Sequence, residues 1–430
     1  MNKRKLNIAI IGLGNIGSYL YKYLQINKEI LAQKNNCIPN IIYVSAKNFN
    51  KKRKIKIKKK NWLKNYLNAT TSKDVDVIVE LIGGSEGAAK KLVFQALKNK
   101  KHVVTANKAL IAKYGDKLSK IAEENKVNLE FEAAVCGGLP IIRSLKEGLI
   151  ANKISSVHGI FNGTSNYILS TMDKDNKNFD EVLLVAKKLG YAEANPASDL
   201  DGNDVAAKLK ILSSLCFNSF INNNIHIEGI NNIDSIDIEN ANKLGYKIKL
   251  LGVSELINNK VYQRVHPTLI KKSSYIASID GVLNAVIVDG KPVGQSVIQG
   301  EGAGPEATTS ALISDISSIL RGNVKFPFSI PNKERKKLNF KDINDRFFSA
   351  YLRFEVFDKP GVLSNITKIF SKNNVSIKRL IQKPDKSKKF SSILIITHNS
   401  KNKSLYKIIK QTEKKPYIIK KPKLIRIQPN

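Results

Sequence analysis

The chain has 430 residues, 42% hydrophobic and 7% aromatic, enough for two or three domains with real cores. It carries 72 Lys plus Arg against 36 Asp plus Glu, a formal net charge of +36, and no run of 18 apolar residues that could form a membrane-spanning helix. Its three cysteines, Cys37, Cys136 and Cys216, are scattered, which excludes a disulfide framework or CxxC zinc site and fits a reducing cytoplasm.

The elements fall into three groups along the chain. Residues 6–13 (LNIAIIGL) form a short apolar run ending in glycine, and residues 15–25 follow with helical periodicity. Further strands are predicted at 41–46, 75–82, 102–105 and 128–135, each separated by a helix or a polar connection. Apolar strands alternating with helices imply a parallel, doubly wound sheet over about 1–136.

Beyond Gly137-Gly138-Leu139-Pro140 the pattern becomes mixed α/β up to about 325. Helices are predicted at 179–189, 205–216 and 238–244, and strands at 156–161, 249–254 and 284–289. A closing helix at 310–320 can return to the first domain. A segment rich in Lys, Pro and Asn, 326–346, reads as a linker. Residues 347–430 then give strand, helix, two strands, helix and strand, the βαββαβ order of a small ferredoxin-like domain.

Gly12-x-Gly14-x-x-Gly17 sits where the first strand turns into a helix. There the first glycine permits the tight turn, the second lets a pyrophosphate approach, and the third lets helix and strand pack. Amides of Asn15 and Ile16 at the helix start suit phosphate. The second strand ends in Val44-Ser45-Ala46-Lys47, without the acid that binds the ribose hydroxyls of NAD, and Lys51, Lys52 and Arg53 follow. A 2′-phosphate fits there, so NADP is favoured over NAD, with solvated lysines as the alternative. The run 51–60 (KKRKIKIKKK) is dense enough to meet a polyanion. The positive excess is nevertheless spread over the whole chain and is mostly lysine, so neither a nucleic-acid nor a membrane partner is expected.

The stretch 195–210, NPASDLDGNDVAAKLK, gathers Asp199, Asp201 and Asp204 within six residues. A calcium loop would need a glutamate twelfth from Asp199, where Lys210 stands. A helix cap at Asn203 or Asp204 explains one carboxylate but not three. Asp204 and Lys208, at i and i+4, share a helix face, and Glu193 precedes them. Acids matched to a substrate ammonium, beside a lysine that moves a proton, suit the oxidation of an amino-acid alcohol.

Residues 186–208, AKKLGYAEANPASDLDGNDVAAK, closely resemble the signature of homoserine dehydrogenases. The resemblance extends through ELIGG (80–84), TANK (105–108), EAAVCGGLPII (132–142), GIFNGTSNYIL (159–169) and GEGAG (300–304). It implies NAD(P)-linked interconversion of L-homoserine and L-aspartate 4-semialdehyde, in the biosynthesis of threonine, methionine and isoleucine. A relative acting on another amino-acid alcohol is the alternative. It also implies Lys208 as general acid/base, Glu193 and Asp204 on the substrate ammonium, Asp199 in support, Lys108 near the nicotinamide, and Gly190 and Gly302 lining the cofactor. Lys208 would then need a lowered pKa, with Lys108 the neighbouring cation able to lower it and Asp204 opposing it.

By the same resemblance a monovalent cation, usually sodium, is held by Glu132, Val135, Gly137 and Leu139. The tail resembles an ACT domain, with Asp358-Lys359-Pro360-Gly361-Val362-Leu363 its first turn. That suggests threonine as effector, Asp358 and Asn374 as its contacts, and a homo-oligomer, dimer or tetramer. An aspartate kinase is not expected ahead of a nucleotide fold that opens at residue 1. Cys136 as a thiol nucleophile is the weak alternative, since no histidine base stands near it in the sequence.

Overall fold

The structure, a computed structural model, describes residues 3–384 and 389–428. The first sheet contains β1 (Arg4–Ile11), β2 (Cys37–Ser45), β3 (Val77–Glu80), β4 (His102–Thr105) and β5 (Leu129–Glu130). All are parallel, in the order β2-β1-β3-β4-β5. Ile8 to Ile11 are buried because helices cover both faces of the sheet. Pro39 is tolerated within β2 because that strand lies at the edge. The direction of winding reverses between β1 and β3, and the carboxyl ends of these strands form the crevice where such sheets take ligands.

Two helices position the later chemistry from this sheet. The glycine loop opens α1 (Asn15–Ile26), and the turn after β4 opens α2 (Lys108–Glu124). The catalytic region adds α3 (Gly163–Asp175), α4 (Asn203–Cys216) and α5 (Pro305–Leu320). Leu312, Ile316 and Ile319 of α5 share one core with Leu6, Ile8, Ile10 and Leu20, so the closing helix packs back onto the nucleotide sheet.

The second sheet is built from β6 (Lys153–Ile160), β7 (Tyr246–Ile257), β8 (Lys260–Lys271), β9 (Leu283–Lys291) and β10 (Gly294–Glu301). It runs antiparallel in the order β10-β9-β6-β7-β8 and packs against α3 and α4. The C-terminal strands are β11 (Phe347–Phe357), β12 (Ile377–Pro384), β13 (Phe390–Thr397) and β14 (Lys423–Ile427), in the order β14-β11-β13-β12. With the helices Val362–Lys372 and Asn402–Glu413 they complete the ferredoxin-like order. β14 pairs parallel with β8 through Arg426↔Thr268 and Ile427↔Leu269, so one continuous sheet crosses from the catalytic region into the tail.

Three expectations change. The strand predicted at 128–135 stops at Glu130, because Glu132 starts a short turn and its carboxylate accepts the amides of Ile142 and Arg143 at 2.8 and 2.7 Å. The helix predicted from 205 begins at Asn203 with Gly202 before it. Neither Asn203 nor Asp204 caps it; Asp204 turns inward to two lysines. Finally, the 326–346 segment is a packed strap rather than a solvated linker. Phe328 is buried against Phe131, and the Arg335 guanidinium stacks 4.2 Å from the Phe328 ring while pairing with Asp116 at 2.6 Å.

Candidate active site

The nucleotide end is assembled from three turns at the carboxyl edge of the first sheet. A side chain at Gly12, whose φ is +109°, would lie 2.4 Å from the Leu81 carbonyl oxygen. One at Gly17 would lie 2.0 Å from the Gly12 carbonyl oxygen, whereas nothing lies within 4 Å of one at Gly14. The first and third glycines are thus fixed by protein packing. The second faces open space where a diphosphate approaches α1, whose first turn has no side-chain cap. Asn15 is exposed and Ile16 half-buried there.

Glu80 and Thr105 hold the neighbouring turns. The buried Glu80 carboxylate accepts the amides of Ile82 and Gly83 at 2.8 and 3.0 Å and the Thr105 hydroxyl at 2.6 Å. Asn107 donates to the Gly84 carbonyl at 2.7 Å and accepts the Leu110 amide at 3.0 Å, capping α2. Lys108, next in sequence, therefore starts its helix directed toward the second domain. At the end of β2, Lys47, Lys51 and Lys52 are exposed. Arg53 is committed elsewhere: its guanidinium donates to the carbonyls of Leu13, Asn48 and Lys51 at 3.1, 2.7 and 2.9 Å and lies over Trp62. It secures the loop against the glycine turn.

Lys108 meets the acid signature across a cleft of about 580 Å³, lined by Glu193, Asp199, Asp204, Lys208, Gly190 and Gly302 among others. Asp204, 3% exposed, is the hub. Its Oδ1 lies 2.7 Å from Lys108 Nζ and its Oδ2 2.8 Å from Lys208 Nζ. The Asn162 amide donates to both Asp204 and Asp199, at 2.9 and 2.8 Å. Lys208 also donates to the Phe161 carbonyl at 2.6 Å. Glu193 is exposed in the same cleft, and Gly190 takes a left-handed φ of +77° just beyond the helix Phe179–Lys188.

The electrostatics follow from this packing. Burial would raise the Asp204 pKa, but Lys208, Lys108 and the Asn162 amide outweigh it and hold the carboxyl well below its ordinary range. Burial pulls the Lys208 ammonium down, and Asp204 more than reverses this, so its pKa lies above the ordinary lysine value. The lowering expected from the sequence does not occur, because the buried Asp204 carboxylate lies 2.8 Å from the ammonium. Asp199 is pushed up by burial and by Asp204. Cys136 lies near Lys208, but burial raises its thiol pKa, the opposite of what a thiolate nucleophile needs.

The loop carrying Cys136 packs behind the 301–304 segment that lines the cleft. Cys136 and Gly137 have consecutive positive φ, and the Gly138 amide donates to the Glu301 carbonyl at 3.0 Å, so residues 136–139 lie against 300–304. A side chain on Gly302 would overlap the Asn284 amide at 2.1 Å.

Residues 12–132 match the NAD-binding domain of homoserine dehydrogenase, 140–317 match homoserine dehydrogenase and 350–416 match an ACT domain. The homoserine dehydrogenase of Neisseria gonorrhoeae is 39% identical over 99% of both chains, and that of Helicobacter pylori is 38% identical over 99% of this chain and 100% of its own. The chain belongs to the homoserine dehydrogenase family. Its fold is that of the Thiobacillus denitrificans homoserine dehydrogenase, with TM-score 0.91, 36% identity, and 99% and 98% of the two chains covered. The Staphylococcus aureus homoserine dehydrogenase at pH 7.5 aligns with TM-score 0.77 and 32% identity over 99% and 100%. As a member of this family the chain is an oxidoreductase with a dinucleotide-binding domain, a catalytic α/β domain and an ACT domain.

The residues expected to hold a cation in this homoserine dehydrogenase fold lie in one bend. Glu132 is 2% exposed, and burial raises its carboxyl pKa to about 7. Among the described residues no donor reaches the carbonyls of Val135 and Gly137, while that of Leu139 accepts the Ile141 amide at 2.8 Å. Glu130 and Asp315 are buried nearby but are paired with Lys146 at 3.1 Å and Arg143 at 3.5 Å, so the oxygens the bend leaves for a hard cation are the carbonyls of Val135 and Gly137. Asn162, within GIFNGTSNYIL, is a site residue that its sequence setting alone did not mark. Its place as the cap of α3, accepting the Ser165 amide at 2.8 Å, was the available signal.

Proposed function

We propose that this chain reduces L-aspartate 4-semialdehyde to L-homoserine, and the reverse, with Lys208 as the group that carries the proton at the substrate oxygen. The observation behind this reading is the Lys108–Asp204–Lys208 hub, which sets two ammonium groups in a cleft that Lys108, at the start of α2 beside the first sheet, shares with Glu193 and Asp199. A nicotinamide held at the glycine turn would supply or accept the hydride. Lys208, held by Asp204 and the Phe161 carbonyl, has one direction left for donating to a carbonyl oxygen, and Lys108 adds positive charge where oxyanion character develops.

Asp204 was expected to hold the substrate ammonium. Its oxygens are engaged by Lys108, Lys208 and Asn162, so we assign it the task of orienting the two lysines. Glu193, exposed in the cleft, and Asp199 are then the carboxylates that meet the ammonium. NADP is favoured over NAD because Lys47, Lys51 and Lys52 are exposed around an acid-free strand end. The same reading includes a sodium ion at Glu132, Val135, Gly137 and Leu139, threonine as an ACT-domain effector, a homo-oligomer, and a place in threonine, methionine and isoleucine biosynthesis in the cytoplasm.

The test is Lys208→Met beside Lys108→Met, with semialdehyde reduction followed using NADPH and NADH. Loss of a proton-transfer group lowers kcat by about 10²–10⁴-fold. Lys208→Met should fall in that range with an unchanged KM for the nucleotide, and full activity in this variant refutes its role.

A further inference from the structure

Lysine is in excess over the whole chain, so charge alone names no partner. The fold nevertheless gathers five lysines around one groove of about 540 Å³ on the nucleotide domain. One wall is the second half of α1, with Tyr21 and Lys22. The other is the run 54–61, with Lys54, Lys56, Lys58 and Lys60. No acid lines the groove, all five lysines are exposed, and none has an ion pair among the described residues. Like charges held together repel one another, and an anion in the groove relieves that repulsion.

The basic run is anchored. Residues 53, 55 and 57 are half-buried and alternate with the exposed Lys54, Lys56 and Lys58. Ile57 packs on the core of the first sheet, and the Tyr21 hydroxyl donates to the Lys56 carbonyl at 3.3 Å. Arg53 ties one end to the Leu13 carbonyl, and the Leu63 amide ties the other to the Val44 carbonyl at 2.9 Å. Every second lysine therefore points outward, with Cα atoms at most about 7 Å apart. At that pitch, successive phosphates of one strand each meet an ammonium group.

α1 adds an aromatic face to this charge. Tyr19, Lys22, Tyr23 and Ile26 recur at helical spacing, so the tyrosines border the groove wall that Lys22 and Ile26 line. The Tyr19 and Tyr23 rings stack with centroids 6.5 Å apart, and Tyr23 is 39% exposed. Ammonium groups that follow a phosphate backbone, beside exposed aromatic faces for bases, are the two parts of single-strand recognition. Lys47, Lys51 and Lys52, at the cofactor end, do not line the groove, and Lys22 to Ile26 lie about 12–18 Å along α1 from Gly14.

We propose that this groove binds single-stranded nucleic acid, with phosphates on Lys22, Lys54, Lys56, Lys58 and Lys60 and a base on Tyr23. The site is separate from the dinucleotide and independent of the dehydrogenase reading.

The experiment is fluorescence anisotropy of the full chain with a labelled oligouridylate of about 20 nucleotides in about 50 mM KCl. The strand binds at about 1 μM or tighter, and log K falls against log salt with a slope of about −0.7 per phosphate held. Lys54→Gln, Lys56→Gln and Lys58→Gln together weaken binding about tenfold or more and flatten that slope by about 2, with Tm unchanged. Removing the same charge at the exposed positions Lys403, Lys407 and Lys410, each to Gln, leaves affinity and slope nearly unchanged. Tyr23→Ala weakens binding about fivefold. Saturating NADPH does not displace the strand. The proposal is overturned by absence of binding, equal loss in the two triple variants, full binding in Tyr23→Ala, or displacement by NADPH. A duplex of the same length bound as tightly, or capture by phosphatidylserine vesicles without the oligonucleotide, overturns it too. Anisotropy and Tm need no turnover, so full activity in Lys208→Met, which refutes the catalytic assignment, leaves this test standing.

Discussion

At the scale of single residues, if Lys208 carries the proton as proposed, its pairing with Asp204 sets which direction of the reaction is easy at neutral pH. Burial disfavours the Lys208 ammonium, but Asp204 at 2.8 Å raises its pKa above the ordinary 10.5. Through neutral pH Lys208 therefore holds its proton, the form that donates to an aldehyde oxygen; the reverse reaction needs it deprotonated. Reduction should be flat with pH up to about the ordinary lysine value, while oxidation rises by about tenfold per pH unit over the same range. Paired pH profiles of kcat/KM for the two substrates check this, and an oxidation rate that levels off near pH 8 refutes it. The pair's contribution to stability has matching signs. It is complete between the ordinary Asp value of 3.8 and the ordinary Lys value of 10.5. It is lost as pH falls through the depressed Asp204 pKa or rises through the raised Lys208 pKa. The acid signature was legible in the sequence because Asp204 and Lys208 are one helical turn apart. The sign of the lysine shift was not, because it depends on burial and on Asn162, which is 42 residues from Asp204.

At the scale of elements, the glycine loop separates two kinds of constraint that one spacing conceals. Gly17 is required by protein packing, since its Cβ would lie 2.0 Å from a backbone carbonyl, while Gly14 has φ −77° and open space. Gly14→Ala should fold with an unchanged Tm and raise the NADPH KM by about tenfold or more, as a methyl group occupies the diphosphate approach. Gly17→Ala should lower both cofactor affinity and Tm. Thermal melts with and without NADPH, beside KM values, separate the two; a destabilised Gly14→Ala refutes the division. The turn-to-helix fingerprint was readable because glycine spacing is local. The 326–346 strap was misread because composition counts its lysines, prolines and asparagines. Its position is set by Phe328 and Arg335, whose partners Phe131 and Asp116 lie more than 190 residues earlier. The strands at 260–271 and 294–301 escaped notice for a related reason. β8 is buried along nearly its whole length and so shows no alternation, and β10 carries few apolar residues.

At the scale of the whole molecule, the ACT domain is joined to the catalytic region by main-chain pairing and by a buried ion pair. β14 extends the catalytic sheet beside β8, and Arg426, fully buried at that seam, gives Glu228 a two-pronged contact at 2.9 and 3.0 Å. Tyr406 and His226 converge on the same carboxylate, His226 at 2.7 Å. Burial would raise the Glu228 pKa, but His226 and Arg426 outweigh it and keep the group ionised. Parallel pairing of the last strand with one about 160 residues earlier has no local signature, which is why βαββαβ was readable and its attachment was not. Removing one partner of a fully buried pair costs about 3–5 kcal/mol, and the Glu228 side chain, 31% exposed, leaves water access that brings the cost here below that range, whereas replacing both by neutral groups of similar volume costs less still. Arg426→Met should therefore lower the urea midpoint markedly and detach the ACT domain first, seen as a broadened or split transition. Arg426→Met combined with Glu228→Gln should recover most of the loss and restore one transition. If the double variant is as unstable as the single one, the seam depends on the shape of Arg426 and its stacking near Phe348 and Tyr406 rather than on the charge of Glu228.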